Sequence, residues 1–155
     1  MIMEDAAVTR KDVISEMAAG CLMGRARLLT RVLTSMYDDE LRQFGLKATQ
    51  LNLLVVVAQL GPVRRIEIGR MIQLDPSTLT RNLQVMLNNG WIEEVVNDED
   101  GRGLPLRVTK RGTALLQDVA PAWKRAQSKA EKLLGTDGAA LLRMLSSDLF
   151  GKSTG

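Results

Sequence analysis

The sequence predicts a mainly α-helical fold of the α+β class, built from several helices and one short β-hairpin. Over most of the 155 residues, apolar side chains recur every three to five positions, which is typical of helices with one buried face. The period becomes strand-like only after Gly90, where turn-forming residues separate two short runs. Hydrophobic residues make up 45% of the chain and charged residues 25%, which predicts a folded domain with a core.

The first two predicted helices differ in how much of their surface is apolar. Residues 9–44 have the pattern of a helix with one apolar stripe, and Gly45 ends it. A second helix over residues 48–60 is apolar on nearly every side and is stopped by Gly61 and Pro62. Because such a helix must be covered on most sides, we expect it at the centre of the domain.

A short helix over residues 66–73 is followed by a turn and a better-defined helix. Asp75 is a favoured N-cap residue, Pro76 suits the first helical position, and Gly90 supplies the stop. At 100° per residue the leucines and the methionine of this helix gather on one face, which predicts burial there. The opposite face is mostly polar and rich in hydrogen-bond donors, and it comprises Ser77, Arg81, Gln84, Val85 and Asn88.

A β-hairpin comes next in the chain. Its strands are predicted over residues 91–96 and 104–109, on either side of a charged tip. Pro105 has no amide hydrogen, so the second strand is expected either to lie at an edge or to pair fully only beyond that residue.

A long helical segment completes the chain. Thr109 is its predicted N-cap, and the helical pattern runs to about residue 134, with a kink expected at Pro121. Gly135 is expected to break the helix before a last one over residues 137–149.

Two short helices joined by a tight turn and followed by a hairpin are the parts of a winged helix-turn-helix, which places one helix in the DNA major groove. Arg81 suits guanine or a phosphate there, and Gln84 can bind adenine. Ser77 and Thr78 lie where helix amides favour a phosphate. Arg102, between two glycines of the hairpin, suits the minor groove. An ordinary solvated acidic hairpin is the alternative interpretation of this segment.

Five segments in this order resemble the MarR family of bacterial transcriptional regulators. The likeness covers about residues 20–150, with Lys47 where the family usually has a threonine cap and Asn97 where it commonly has aspartate. The five segments are Gly45-Leu46 with Gln50, residues 75–83, Gly90-Trp91-Ile92, residues 98–102 and residues 108–112.

The resemblance implies a homodimer in which residues 1–45 and 110–155 form a helical dimerisation region and residues 46–109 form the DNA-binding lobe. The implied function is sequence-specific regulation of transcription, as a repressor on a pseudo-palindromic operator in double-stranded DNA. Release by a small-molecule effector is left open. By position, the residues implied at the major groove are Ser77, Thr78, Thr80, Arg81 and Asn82, with Arg102 at the minor groove and Asp100 orienting the wing.

The composition argues against several other classes of protein. The chain has no histidine, and Cys21 is its single cysteine. A zinc site built from these residue types and an intramolecular disulfide are therefore excluded. We therefore predict no enzymatic activity, no metal and no cofactor. A free thiol without a signal peptide is expected in the cytoplasm, and the most apolar stretch, residues 51–60, is too short to cross a membrane. The net charge of +3 permits a polyanionic partner without requiring one.

Two alternative functions remain open at this point. One is a redox-sensing regulator that uses Cys21, with Arg25 as the nearby positive charge, although a buried and inert cysteine is the default expectation. The other is a winged-helix module for protein assembly, which would bind through an exposed apolar face without a DNA role. Trp123 and Tyr37 are the large aromatic candidates for an effector pocket, and core packing is the ordinary expectation for both.

Overall fold

The computed structural model describes residues 10–96 and 103–152, with side chains up to residue 147. Within these ranges the protein is mainly helical with a two-stranded antiparallel sheet, which confirms the predicted fold class. The chain divides into two compact units, Met1–Leu33 and Thr34–Gly155. The elements are α1 (Arg10–Gly20), α2 (Leu22–Leu41), a 3₁₀ turn (Arg42–Phe44), α3 (Ala48–Leu60), α4 (Arg65–Ile72), α5 (Pro76–Asn88), β1 (Ile92–Glu94), β2 (Leu106–Val108) and α6 (Lys110–Lys152).

The first unit contains α1 and the beginning of α2, and every described side chain in it is at least partly exposed. The single helix predicted over residues 9–44 is wrong at Cys21, where α1 and α2 are separated next to Gly20. Glycine has a low helix propensity, which explains the position of the break. Helix-like hydrogen bonds nevertheless continue from Cys21 N to the Met17 carbonyl (3.1 Å) and from Arg25 N to the Cys21 carbonyl (3.2 Å). The interruption is therefore confined to one residue.

Helix α3 lies at the centre of the second unit, as predicted. Leu53, Leu54 and Val57 are fully buried, and α3 contacts α4, α5, α6 and β2. The helix ends at Leu60, where the backbone of Gly61 leaves the helical region. Burial on most sides of α3 supplies the core on which the surrounding helices pack.

The sheet is small and has an additional bridge on its outer side. Ile92 pairs with Val108 and Glu94 pairs with Leu106 in antiparallel register. Leu106 also exchanges two backbone hydrogen bonds with Val63 (2.9 and 2.8 Å), so β2 is paired on both sides at this position. The strand begins directly after Pro105, which confirms the second of the two predicted arrangements.

Helix α6 is longer than predicted and is interrupted once. Gly135 (φ 69°, ψ 169°) departs from helical angles, so the helical break lies at the predicted glycine and not at Pro121. The buried side of α6 is formed mainly by Val119 and by alanines, which allow close approach of α6 to the core. In the part of the chain that the structure describes, no helix combines the length and the apolar character that crossing a membrane requires.

Candidate nucleic-acid interface

Helix α5 begins with a strong local cap. The carboxylate of Asp75 accepts hydrogen bonds from Ser77 N (3.0 Å), Thr78 N (3.1 Å) and Ser77 Oγ (2.7 Å). Hydrogen bonds from the side chains of Thr78 and Ser77 and from their amides lower the pKa of Asp75 from 3.8 to about 2. Pro76 occupies the first turn, where its missing N–H is not needed. The Asp75 carboxylate therefore keeps its charge, and its capping bonds, in moderately acidic solution.

This cap corrects one expectation about phosphate binding. The sequence predicts that the amides of Ser77 and Thr78 are available to a DNA phosphate, but both donate to the Asp75 carboxylate. The hydroxyl of Ser77 is also engaged with Asp75, although its oxygen can still accept a hydrogen bond. The charge that α5 offers to a polyanion therefore has to come from its side chains.

The two faces of α5 differ as the sequence predicts. Leu79, Leu83 and Met86 are buried against the core. The exposed side chains beyond the first turn lie on the opposite face, and they are Thr80, Arg81, Gln84, Val85 and Asn88.

The polar side chains predicted to contact DNA are of two kinds. Arg81 and Thr80 are exposed, and their side chains have neither a hydrogen bond nor an ion pair within residues 10–96 and 103–152. By contrast, the amide of Asn82 donates to the Thr78 carbonyl (2.8 Å), and that of Gln84 donates to Asn88 Oδ1 (2.8 Å). Arg81 and Thr80 are therefore the predicted contacts whose full donor sets are available for an external ligand, and only Arg81 carries a charge.

The base of the hairpin is fixed by two ion pairs. Arg107 Nε contacts Glu93 Oε1 across the sheet (2.7 Å), and Arg65 at the start of α4 contacts Glu94 Oε1 (2.7 Å). The second pair connects the helix-turn-helix to the hairpin, a contact that the sequence analysis missed because the two residues are far apart in the chain. Arg102 and Asp100, predicted for the minor groove and the wing, lie outside the described residues, so their roles stay predictions.

An open groove of about 490 Å³ lies between α4 and the first turn of α5. Leu74 and Leu79 contribute apolar surface to it, and Arg65 and Arg70 contribute guanidinium groups. Arg70 is exposed, and its side chain has no partner in the described part of the chain. Arg70 on α4 is therefore a second arginine, besides Arg81 on α5, that is unpaired in the described part of the chain.

The acidic run at residues 38–40 has structural roles that the sequence analysis did not assign. Asp38 Oδ1 accepts a hydrogen bond from the Ala48 amide (2.7 Å) and so caps α3 from a distant position. Lys47 cannot accept at this cap, and the Gln50 side chain instead accepts from the Lys47 amide (3.0 Å).

Glu40 connects α2 to α6 within the second unit. Its carboxylate binds Arg125 Nε (2.8 Å) and Lys129 Nζ (2.7 Å). Hydrogen bonds from Lys129 and then from Arg125 lower the pKa of Glu40. The acidic run is visible in the sequence, but the basic residues that pair with it are seen only in the fold.

The two aromatic effector candidates differ in burial and in their contacts. Tyr37 is half-buried and donates a hydrogen bond to Gln127 Oε1 (2.5 Å), and burial together with Glu131 raises the pKa of its hydroxyl. Trp123 is exposed on α6, and neither aromatic residue lines the groove beside α5. Their assignment to an effector site stays a prediction.

Cys21 differs from expectation because its side chain is exposed in the single chain. Its sulfur accepts a hydrogen bond from the Gly24 amide (3.4 Å), while the guanidinium of Arg25 is directed to the carbonyl of Ala19. The default expectation of a buried cysteine is therefore wrong, and the expected cation is engaged elsewhere. Across residues 10–96 and 103–152, no cluster of three or more cysteine, aspartate or glutamate side chains could hold a metal ion.

Comparison with known proteins gives consistent matches. Residues 44–103 match the family model described as "MarR family". The multiple antibiotic resistance protein MarR of Salmonella typhimurium is 29% identical over 82 residues, which are 53% of this chain and 57% of the relative. The uncharacterized HTH-type transcriptional regulator YwoH of Bacillus subtilis is 25% identical over 57% of this chain and 64% of its own length. The chain therefore spans less than two thirds of the length of these curated relatives.

Solved structures extend the likeness over most of the chain. A cysteine-to-serine mutant of MarR from E. coli, crystallised in complex with operator DNA, has a TM-score of 0.71 at 20% identity and covers 86% of this chain and 96% of its own. A probable transcriptional regulator from Pseudomonas aeruginosa has a TM-score of 0.73 at 22% identity and covers 85% and 98%. At these identities the comparison shows the fold, and it confirms the predicted winged helix.

Proposed function

We propose that this chain is a sequence-specific DNA-binding transcriptional regulator of the MarR family, whose model matches residues 44–103. It acts as a repressor that binds a pseudo-palindromic operator as a homodimer, and no catalytic activity is assigned to it. The observation that carries the proposal is the exposed face of α5, where Arg81 has no partner in the described part of the chain and the opposite face is buried in the core.

The chemistry of this face suits duplex DNA. An unpaired guanidinium on a firmly packed helix can donate two parallel hydrogen bonds to guanine O6 and N7 in the major groove. Arg70 on α4 adds positive charge for phosphates beside it. The E. coli relative of the same fold is known in complex with operator DNA, which supports this choice of ligand.

Exposed apolar side chains support the homodimer. In the first unit Leu22 is 80% exposed, together with Met17 and Met23. In the second unit the terminal part of α6 exposes Leu141 and Leu145, each by about half. Apolar surface of this extent on terminal helices is typical of a protein interface. The division into a dimerisation region (residues 1–45 and 110–155) and a DNA-binding lobe (residues 46–109) remains part of the proposal. Light scattering tests the homodimer, and it should give twice the chain mass of 17.1 kDa.

Two open points complete the proposal. Release from DNA by a small-molecule effector remains part of the proposal, with Tyr37 and Trp123 as candidate contacts of the effector. The proposed compartment is the cytoplasm. The redox-sensing alternative gains support from the exposure of Cys21 and loses support from the engagement of Arg25 with Ala19.

Selection from a random duplex pool tests the proposal, followed by gel-shift titration of the selected sequence at two salt concentrations. We expect an enriched, approximately two-fold symmetric sequence whose affinity falls as salt rises. Arg81→Ala should lose about 1–3 kcal/mol of base discrimination per half-site. Lys132→Ala removes the same charge from an exposed position on α6 and should bind like the wild type.

The outcomes separate this function from its alternatives. A protein-assembly module would enrich no sequence and would show no salt-dependent DNA binding. Wild-type discrimination by Arg81→Ala, or a monomer in solution, would contradict the assignment of α5 as the DNA-reading helix of a dimer.

A further inference from the structure

We propose that Val85 is a specificity-determining residue, which selects a thymine in each half-site by apolar contact with the C5-methyl group of that base. The inference rests on the proposed function, since it requires that α5 enter the major groove. The structural observation is the position of Val85 on the same exposed face of α5 as Arg81.

Val85 is an exception on its helix. The structure describes all of α5, and Val85, 36% exposed, is the large hydrophobic side chain that this helix leaves in solvent. The other hydrophobic residues of the helix, Leu79, Leu83, Met86 and Leu87, are buried or partly buried. Valine has a lower helix propensity than the common surface residues, so neither burial nor helix formation favours it at this position.

The neighbours of Val85 leave a defined set of contacts for DNA. Arg81 lies one turn before it with a guanidinium that is unpaired in the described part of the chain, while the amide of Gln84 donates to Asn88 beside it. The backbone carbonyl of Val85 accepts from Asn89 N (3.0 Å) and from its side chain (2.8 Å), so the end of the helix is well ordered. The surface beyond Arg81 therefore presents an isopropyl group beside a cation and an amide pair.

Thymine is the base whose chemistry matches this group. Among the four bases, only thymine carries an apolar substituent on its major-groove edge. Along the helix, Arg81 and Val85 are separated by about 6 Å, from the rise of about 1.5 Å per residue. With about 3.4 Å between base pairs, the selected thymine lies about two base pairs from the base that Arg81 reads.

The test uses the duplex selected from the random pool by the wild-type protein. Each thymine of a half-site is replaced in turn by uracil, which deletes the methyl group and leaves the base pair intact. We expect one replacement to weaken wild-type binding about fourfold, equivalent to about 0.8 kcal/mol for one buried carbon. The same change in both half-sites should weaken binding about fifteenfold, because the two contributions add.

Variants connect the effect to Val85. Val85→Ala should bind the thymine and uracil duplexes equally at that position, and Val85→Thr, of the same shape with a hydroxyl, should give an intermediate ratio. Val55→Ala is the matched control, since Val55 lies on α3 and is 38% exposed, and it should retain the full wild-type ratio. Because both valines are exposed, every variant should remain folded under the conditions of the binding assay, as urea unfolding checks.

Several results would overturn the inference. If no uracil replacement weakens wild-type binding, or if Val85→Ala keeps the thymine preference, Val85 does not read a methyl group, and the proposed function still stands. If the wild-type protein enriches no sequence from the pool, the proposed function and this inference fail together.

Discussion

The junction between the hairpin and α6 requires a residue without a side chain at position 112. A Cβ atom added to Gly112 would lie 2.1 Å from the Trp91 carbonyl oxygen and 2.8 Å from Val108 Cγ2. The first of these atoms belongs to the backbone, so side-chain rotation cannot relieve the clash. The amide of Gly112 also donates to Thr109 Oγ1 (3.0 Å), the cap of α6, and a backbone shift would break this bond.

We therefore expect Gly112→Ala to lower the free energy of unfolding substantially. Overpacking in a dense region costs about 1–3 kcal/mol, and the loss of an N-cap costs about 1 kcal/mol more. The expected loss is about 2–4 kcal/mol, measured by urea unfolding at one fixed protein concentration because the proposed dimerisation would couple stability to concentration.

Gly138→Ala provides the matched control for this measurement. The added Cβ would make an ordinary contact of 3.5 Å with Leu134 Cβ, on the other side of the interruption at Gly135. Alanine has a higher helix propensity than glycine, so this variant should gain up to about 1 kcal/mol. Equal stability of Gly112→Ala and the wild type would refute the close approach between Gly112 and Trp91.

Two further predictions concern carboxylates. Asp75→Ala should destabilise the protein above pH 4 and progressively less between pH 4 and 2, because the folded pKa of Asp75 is about 2 and the wild type loses its ionised cap in that range. Urea midpoints of the variant and the wild type at about pH 5 and pH 2.5 measure this, and an equal difference between the two proteins at both pH values would contradict it. Glu40→Gln should lower the urea midpoint, and more at low salt than at high salt, because the hydrogen bonds to Arg125 and Lys129 lose the charge of the carboxylate. Asp39→Asn is the control, since the arginine that pairs with Asp39 is more exposed. An equal effect of the two changes would contradict the prediction.

The parts of the fold that sequence predicted well have local signals. The bounds of α3 agree with the structure because Gly61 ends the helix. Those of α5 agree because Asp75 and Pro76 fix its start and Asn89 its end. Each of these signals acts within a few residues, so no knowledge of distant contacts is needed.

The parts that sequence did not predict depend on which of several available partners a side chain takes. The cap of α3 comes from Asp38, ten residues earlier, at a position where Lys47 has no acceptor to offer. At the candidate interface, sequence predicted the Asp75 cap and which side chains face outward, but not that Gln84 would bond to Asn88. Hydrogen-bond competition among neighbours decides these cases, and residue types alone do not settle it.

The contacts around Trp91 connect the proposed DNA-reading helix to the proposed dimerisation helix. The Trp91 amide donates to the Met86 carbonyl in the last turn of α5 (3.0 Å), and its own carbonyl accepts from the Thr109 amide (3.0 Å). Thr109 also donates to the Gly90 carbonyl (2.6 Å) and caps α6. We expect these bonds to transmit a rotation of α6 to the end of α5. In the proposed dimer, the packing of α6 would set the spacing between the two α5 helices, and a change at position 112 should alter DNA affinity as well as stability.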